Sequence, residues 1–115
     1  NVKVAYHSDG NIYPIIPDLV EIGIDVLNPI QPGSMDPMLL KKQYGDRLSF
    51  WGSIDVQNTL PFGTPRDVRQ EVIARVETLG KGGGLILAPT HHVQLDTPLE
   101  NFWEMIDAVR STTCS

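Results

Sequence analysis

One cycle runs four times through these 115 residues: an apolar strand, a polar residue at its end, a capped helix, then a glycine. The strands are read at residues 2–6, 24–27, 48–51 and 85–88, and they stop at His7-Ser8-Asp9-Gly10, Asn28-Pro29, Gly52-Ser53-Ile54-Asp55 and Pro89-Thr90-His91-His92. The runs are short and mostly apolar rather than alternating, which suits parallel strands buried on both faces. Parallel strands need crossovers, and the gaps are long enough to hold helices. The pattern predicts an α/β fold of four consecutive β/α units, one half of a closed (β/α)8 TIM barrel. The count of four also predicts that residues 1–115 form a single half-barrel domain and a fragment of a longer barrel.

The helix starts are legible. Asp36-Pro37, Thr64-Pro65 and Thr97-Pro98 each set a capping side chain before a proline, whose missing N–H and fixed φ suit a first helical turn. Thr97 and Glu100 have the spacing of a capping box. Gly23, Gly45 and Gly80 stand where the first three helices should stop, in the left-handed position that glycine takes at little cost. Val68, Val72, Val76 and Leu79 predict one apolar helical stripe, and Phe102, Ile106 and Val109 another. The first helix, near residues 14–22, carries Pro14 and Pro17, tolerable only in a first turn.

A hydrophobic content of 41% supports a packed core, and a net charge of −5 without like-charge runs argues against a nucleic-acid surface. No apolar stretch approaches the roughly 18 residues of a membrane span. The single Cys114 excludes an internal disulfide framework, fits a reducing cytoplasm and reads as a tail residue rather than a nucleophile.

The longest irregular stretches, 29–36, 55–63 and 89–96, all follow strand ends, whereas the helix-to-strand turns are tight. In β/α folds this asymmetry separates function from stability and puts chemistry at the C-terminal ends of the strands. His7, Asp9, Asn28, Asp55, His91 and His92 all sit there. His7, Asp9 and His91 could make a three-ligand metal site of imidazole nitrogen and carboxylate oxygen, of the kind zinc accepts. Plainer readings stand beside it. A histidine at a strand end serves as a hydrogen-bonding rim residue, Asp9-Gly10 is a turn signal, Asn28-Pro29 ends a strand and Asp55 caps a loop. Gly80-Lys81-Gly82-Gly83-Gly84 precedes a strand, so it reads as a helix stop and turn rather than a phosphate cradle. Trp51 and Trp103 read as core or barrel-layer residues, and Met35 and Met38 as filler.

The wording of the loops carries a resemblance. His7-Ser8-Asp9-Gly10-Asn11-Ile12 is followed by the stretch from Ile22 through Asn28-Pro29 to Pro32, then Phe50-Trp51-Gly52-Ser53-Ile54-Asp55 and Leu60-Pro61-Phe62-Gly63-Thr64-Pro65. Gly82-Gly83-Gly84 through Pro89-Thr90-His91 and Thr97-Pro98-Leu99-Glu100-Asn101 complete the ordered set. Together they resemble the C-terminal half of the uroporphyrinogen decarboxylase superfamily, across nearly the whole chain. The resemblance implies a (β/α)8 barrel and one of two chemistries. One is removal of acetate carboxyls from uroporphyrinogen III without metal or cofactor. The other is zinc-dependent methyl transfer between corrinoid proteins and thiols or other acceptors.

Carried over residue by residue, the decarboxylase pattern matches Asp9-Gly10 at the end of the first strand and His91 after the last. Its substrate-gripping arginines and main catalytic Asp and Tyr belong to the N-terminal half, outside this stretch. The methyltransferases place His-x-Cys at His7-Ser8-Asp9 and a second Cys at His91. This chain therefore keeps His7 but has Asp9 and His91 where the thiolates would be, a harder donor set less suited to activating a thiol. The resemblance thus assigns His7, Asp9 and His91 catalytic roles, or metal-ligand roles if zinc is bound, with Asn28, Asp55 and His92 in contact with a tetrapyrrole or methyl-donor substrate. A reading of another class is a non-catalytic half-barrel, a binding or assembly module. Its open sheet edges would pair with a second copy or with the missing half-barrel.

Overall fold

The computed structural model describes residues 1–112; the expectation about Cys114 lies outside them. Four strands form one sheet in the order β1-β2-β3-β4, every neighbouring pair parallel. They are β1 (Ala5–His7), β2 (Val26–Asn28), β3 (Ser49–Ile54) and β4 (Leu85–Pro89). Between and after them run α1 (Ile16–Glu21), entered through a 3-10 turn at Tyr13–Ile15, α2 (Pro37–Tyr44), α3 (Thr59–Phe62), α4 (Pro65–Thr78) and α5 (Leu99–Ser111). This is the predicted half-barrel order, with α3 as an additional short helix.

The apolar runs bury where the repeat requires. Leu27 and Phe50, partners in the β2–β3 register, are fully buried and join Ile16, Leu40, Leu48 and Leu79 in one core. Ile54, Leu60, Val68, Val72, Val76, Met105 and Ala108 form a second, beneath the end of β3 and between α4 and α5. Val68, Val72, Val76 and Leu79 are buried as the stripe predicts.

The opposite face of the sheet is bare. Side chains alternate across a strand, so His7, Asn28, Trp51 and Ile86 form a row on the side away from Leu27 and Phe50. Trp51 is 39% exposed and Ile86 52%. In a closed barrel such a face is the interior layer. Trp51 is therefore placed as a barrel-layer residue, partly exposed. Trp103, at 58% exposure, lies outside the core it was expected to join.

Four local expectations are corrected. The capping box forms at Thr64, not Thr97. The Thr64 hydroxyl accepts the Asp67 N–H at 3.2 Å and the Asp67 carboxylate accepts the Thr64 N–H at 2.9 Å. Helix α5 instead begins one residue later, with Pro98 at the cap position and Thr97 Oγ buried without a partner. The buried face of α5 is Asn101, Met105 and Ala108, flanked by Phe102 and Ile106, while Val109 is largely exposed. The reason is polar. The Asn101 side-chain amide donates to the Leu60 and Gly63 carbonyls at 2.9 and 2.8 Å, and this turns the helix. Of the three expected left-handed stops only Gly23 takes positive φ, at +98°; Gly45 stays right-handed, and Gly82, Gly83 and Gly84 supply the left-handed positions after α4. Met35 is buried as filler, but Met38 is exposed.

The two ends of the sheet differ in kind. At the N-terminal end of the strands, Lys41 Nζ donates to the Gly83 carbonyl at 2.8 Å and ties α2 to the turn before β4. At the C-terminal end, β1 and β2 run past their apolar segments. His7 pairs in register with Asn28, and the Ser8 N–H donates to the Asn28 carbonyl at 2.9 Å. His7 and Asn28 are thus fixed on ladder backbone, while Asp9, Asp55, His91 and His92 lie in the segments just past the strand ends.

Candidate active site

His7 is the centre of the rim. Its Nδ1 lies 2.6 Å from Asn28 Oδ1, and its Nε2 lies 3.9 Å from Asp9 Oδ2. The His91 ring stands 6.5 Å from the His7 ring, centroid to centroid, and 4.9 Å from that of His92 in an edge-on arrangement. The loops after β1 and β4 therefore bring His7, Asp9, His91 and His92 into one exposed cluster, with Asn28 behind His7. Three imidazoles and one carboxylate can exchange protons with a substrate or hold its anionic groups.

Asp55 stands apart from this cluster. Its Oδ1 accepts the Gln57 and Asn58 N–H groups at 2.7 and 3.3 Å, and its Oδ2 accepts Asn58 Nδ2 at 3.2 Å. These bonds make it the cap of its own loop, the plainer of the two readings. Asn28 is turned toward His7 and the backbone of β3 rather than outward.

Two supporting residues escaped the sequence reading. Gln31 Oε1 accepts the Gly10 N–H at 2.6 Å and joins the loop after β2 to the loop carrying Asp9. Glu71, on α4, accepts the Asp55 N–H at 3.0 Å and the Thr59 hydroxyl at 3.2 Å and so steadies the loop after β3. Burial, the largest influence, pushes the Glu71 carboxyl above its ordinary value, against hydrogen bonds and the Arg75 charge that pull it down. Neither has a local motif, since each acts on a segment distant in sequence.

His7, Asp9 and His91 offer suitable nitrogen and oxygen atoms, but no thiolate. Bound zinc would hold nitrogen and oxygen at about 2.0–2.2 Å. Among the described residues no three His, Cys, Asp or Glu side chains are gathered as ligands. As they stand, these side chains do not fit a closed zinc site.

The comparisons with known proteins agree with the half-barrel. The family profile "Uroporphyrinogen decarboxylase (URO-D)" matches residues 1–112. A uroporphyrinogen decarboxylase of Psychromonas ingrahamii is 34% identical over 76 residues, 66% of this chain and 21% of that protein. One of Aliivibrio salmonicida is 34% identical over 70 residues, 60% of this chain and 19% of that protein. Among solved structures, a methyltransferase from Methanosarcina mazei superposes with a TM-score of 0.73 at 27% identity, over 94% of this chain and 31% of that one. The chain belongs to the uroporphyrinogen decarboxylase family. Its matches span about a fifth of the length of these curated relatives.

Among the described residues no helix is long and apolar enough to cross a membrane.

Proposed function

We propose that this chain supplies one half of the catalytic rim of a decarboxylase-type barrel enzyme that acts on a carboxylated substrate of tetrapyrrole kind. The carrying observation is the cluster of His7, Asp9, His91 and His92 at the C-terminal ends of β1 and β4. Loss of a carboxyl group as CO2 leaves an electron pair on carbon, and a proton must be delivered there. Imidazole is the side chain suited to that delivery near neutral pH. In this reading His7, protonated on both ring nitrogens, delivers the proton from Nε2 and is left in the Nδ1–H form, Asp9 stands beside that Nε2, and His91 and His92 hold substrate carboxylates. The remaining strands of a closed barrel add to the open edges of β1 and β4 and cover the bare row from His7 to Ile86. Without them the rim is incomplete.

A second reading, zinc-dependent methyl transfer with a corrinoid protein as partner, draws support from the presence of His7 and from the methyltransferase neighbour. Elemental analysis of the purified protein and fluorescence titration with a porphyrin separate the two. Porphyrin binding that weakens in His91→Ala, in metal-free protein, supports the first. Stoichiometric zinc that is lost in both His7→Ala and His91→Ala, without porphyrin binding, overturns it.

A further inference from the structure

We infer that Asn28 is a positioning residue that fixes His7 as the Nδ1–H tautomer and leaves Nε2 as the bare nitrogen facing Asp9 and the rim. Any catalytic use of that nitrogen rests on the function proposed above; the tautomer itself does not.

The argument begins in the β2–β3 ladder. Parallel strands exchange hydrogen bonds at every second residue. Here the Ser49 N–H donates to the Asp25 carbonyl at 2.9 Å, and the register pairs Val26 with Ser49 and Leu27 with Phe50. Carried one period further, the pattern requires the N–H of residue 29 to reach the Trp51 carbonyl. Residue 29 is proline and has no N–H. The Asn28 side chain supplies the missing donor: its Nδ2 lies 3.1 Å from the Trp51 oxygen.

That bond decides which way the amide points. Reversed, it would set Oδ1 against the Trp51 carbonyl, two acceptors with no proton between them. With Nδ2 held by Trp51, Oδ1 faces His7 Nδ1 at 2.6 Å. An amide oxygen only accepts, so Nδ1 must carry the proton. In neutral His7 the lone pair is then on Nε2, 3.9 Å from the Asp9 carboxylate. A second-nitrogen partner that sets the tautomer and the ring orientation is the usual means of making an imidazole a directed base or ligand. Here the partner is in turn set by a proline that removes one ladder donor.

The test is long-range 1H–15N correlation of the imidazoles in the 15N-histidine-labelled protein that carries this chain, at about pH 8, above the ordinary imidazole range. The His7 signals are assigned by their loss in His7→Ala. The expected wild-type pattern has a protonated Nδ1 and an unprotonated Nε2. Asn28→Ala should move the proton wholly or partly to Nε2. A wild-type His7 protonated on Nε2 overturns the inference, and this spectrum decides even if Asn28→Ala does not fold. An unchanged pattern in folded Asn28→Ala overturns the role of Asn28. If the tautomer is as inferred but His7→Ala retains full activity, the functional reading fails and the tautomer stands.

Discussion

Glu71 and Arg75 lie one turn apart on α4 with carboxylate and guanidinium 3.5 Å from each other, both side chains largely buried. Arg75 Nε also donates to the Ser53 carbonyl at 3.2 Å. The pair therefore links α4 to the end of β3 and, through the Asp55 N–H, to the rim loop. Burial raises the Glu71 carboxyl despite this partner. An acid raised on folding contributes stability in full below its unfolded value, about 4.3, and loses it as pH rises through the folded value. Glu71→Gln should therefore gain stability relative to wild type as pH rises from about 4 to 7. Urea unfolding of both proteins at several pH values checks this; a wild type that gains on the variant over that range would contradict it.

Asn101 should be costly to replace. It is 1% exposed, and its amide satisfies two backbone carbonyls of the α3 segment. Asn101→Leu leaves both without that donor, at a cost of about 1–3 kcal/mol for each acceptor left buried and unpaired. The midpoint of chemical unfolding should fall accordingly. A loss below about 0.5 kcal/mol, the usual size of a surface substitution, would show that these carbonyls find other donors.

The backbone of β3 bends just before the rim. Gly52 has φ +108°, and a Cβ there would stand 3.3 Å from Pro29 Cβ. Ser53 has φ +93° while fully buried, with its hydroxyl unpartnered. Strain of this kind costs about 1–3 kcal/mol per residue. Gly52→Ala should destabilise, and Ser53→Gly should stabilise by about 1 kcal/mol, since it removes both a left-handed side-chain residue and an orphan hydroxyl. Thermal unfolding of the two variants reads opposite signs if this account is right.

His7 is exposed, so its loss should be seen in chemistry and not in stability. On the function proposed above, His7→Gln in the protein carrying this chain should lower kcat by about 10²–10⁴, the usual contribution of a positioned acid or base, with an unchanged unfolding midpoint. Steady-state kinetics beside a urea curve checks both halves. Loss of both together would mark His7 as structural.

The sequence shows the architecture because strands and most helix starts are local. Asp36-Pro37 and Thr64-Pro65 start helices where expected, since one side chain and one fixed φ suffice. Thr97-Pro98 looks the same but does not cap, because the Asn101 bonds to α3 set where α5 begins to pack, and α3 itself has no periodic signal in four residues. The site divides in the same way. His7, Asp9, His91 and His92 are legible as polar residues at strand ends, and the loops after β1 and β4 bring them together. The loop-capping use of Asp55 is one of the two readings the sequence offers, its bonds reaching only two and three residues ahead; the hold of Asn28 on His7 joins residues 21 apart, which no spacing rule encodes.

The sheet order follows the chain without a skip, and this bears on how the fold is reached. Each strand pairs only with the strand before it and the strand after it. Among these four strands none waits for a partner from a distant part of this sequence, so loop closure between them stays short and they can assemble unit by unit. During synthesis β1 can dock on β2 as soon as the intervening helix has emerged, and the growing edge of the sheet is always the newest strand.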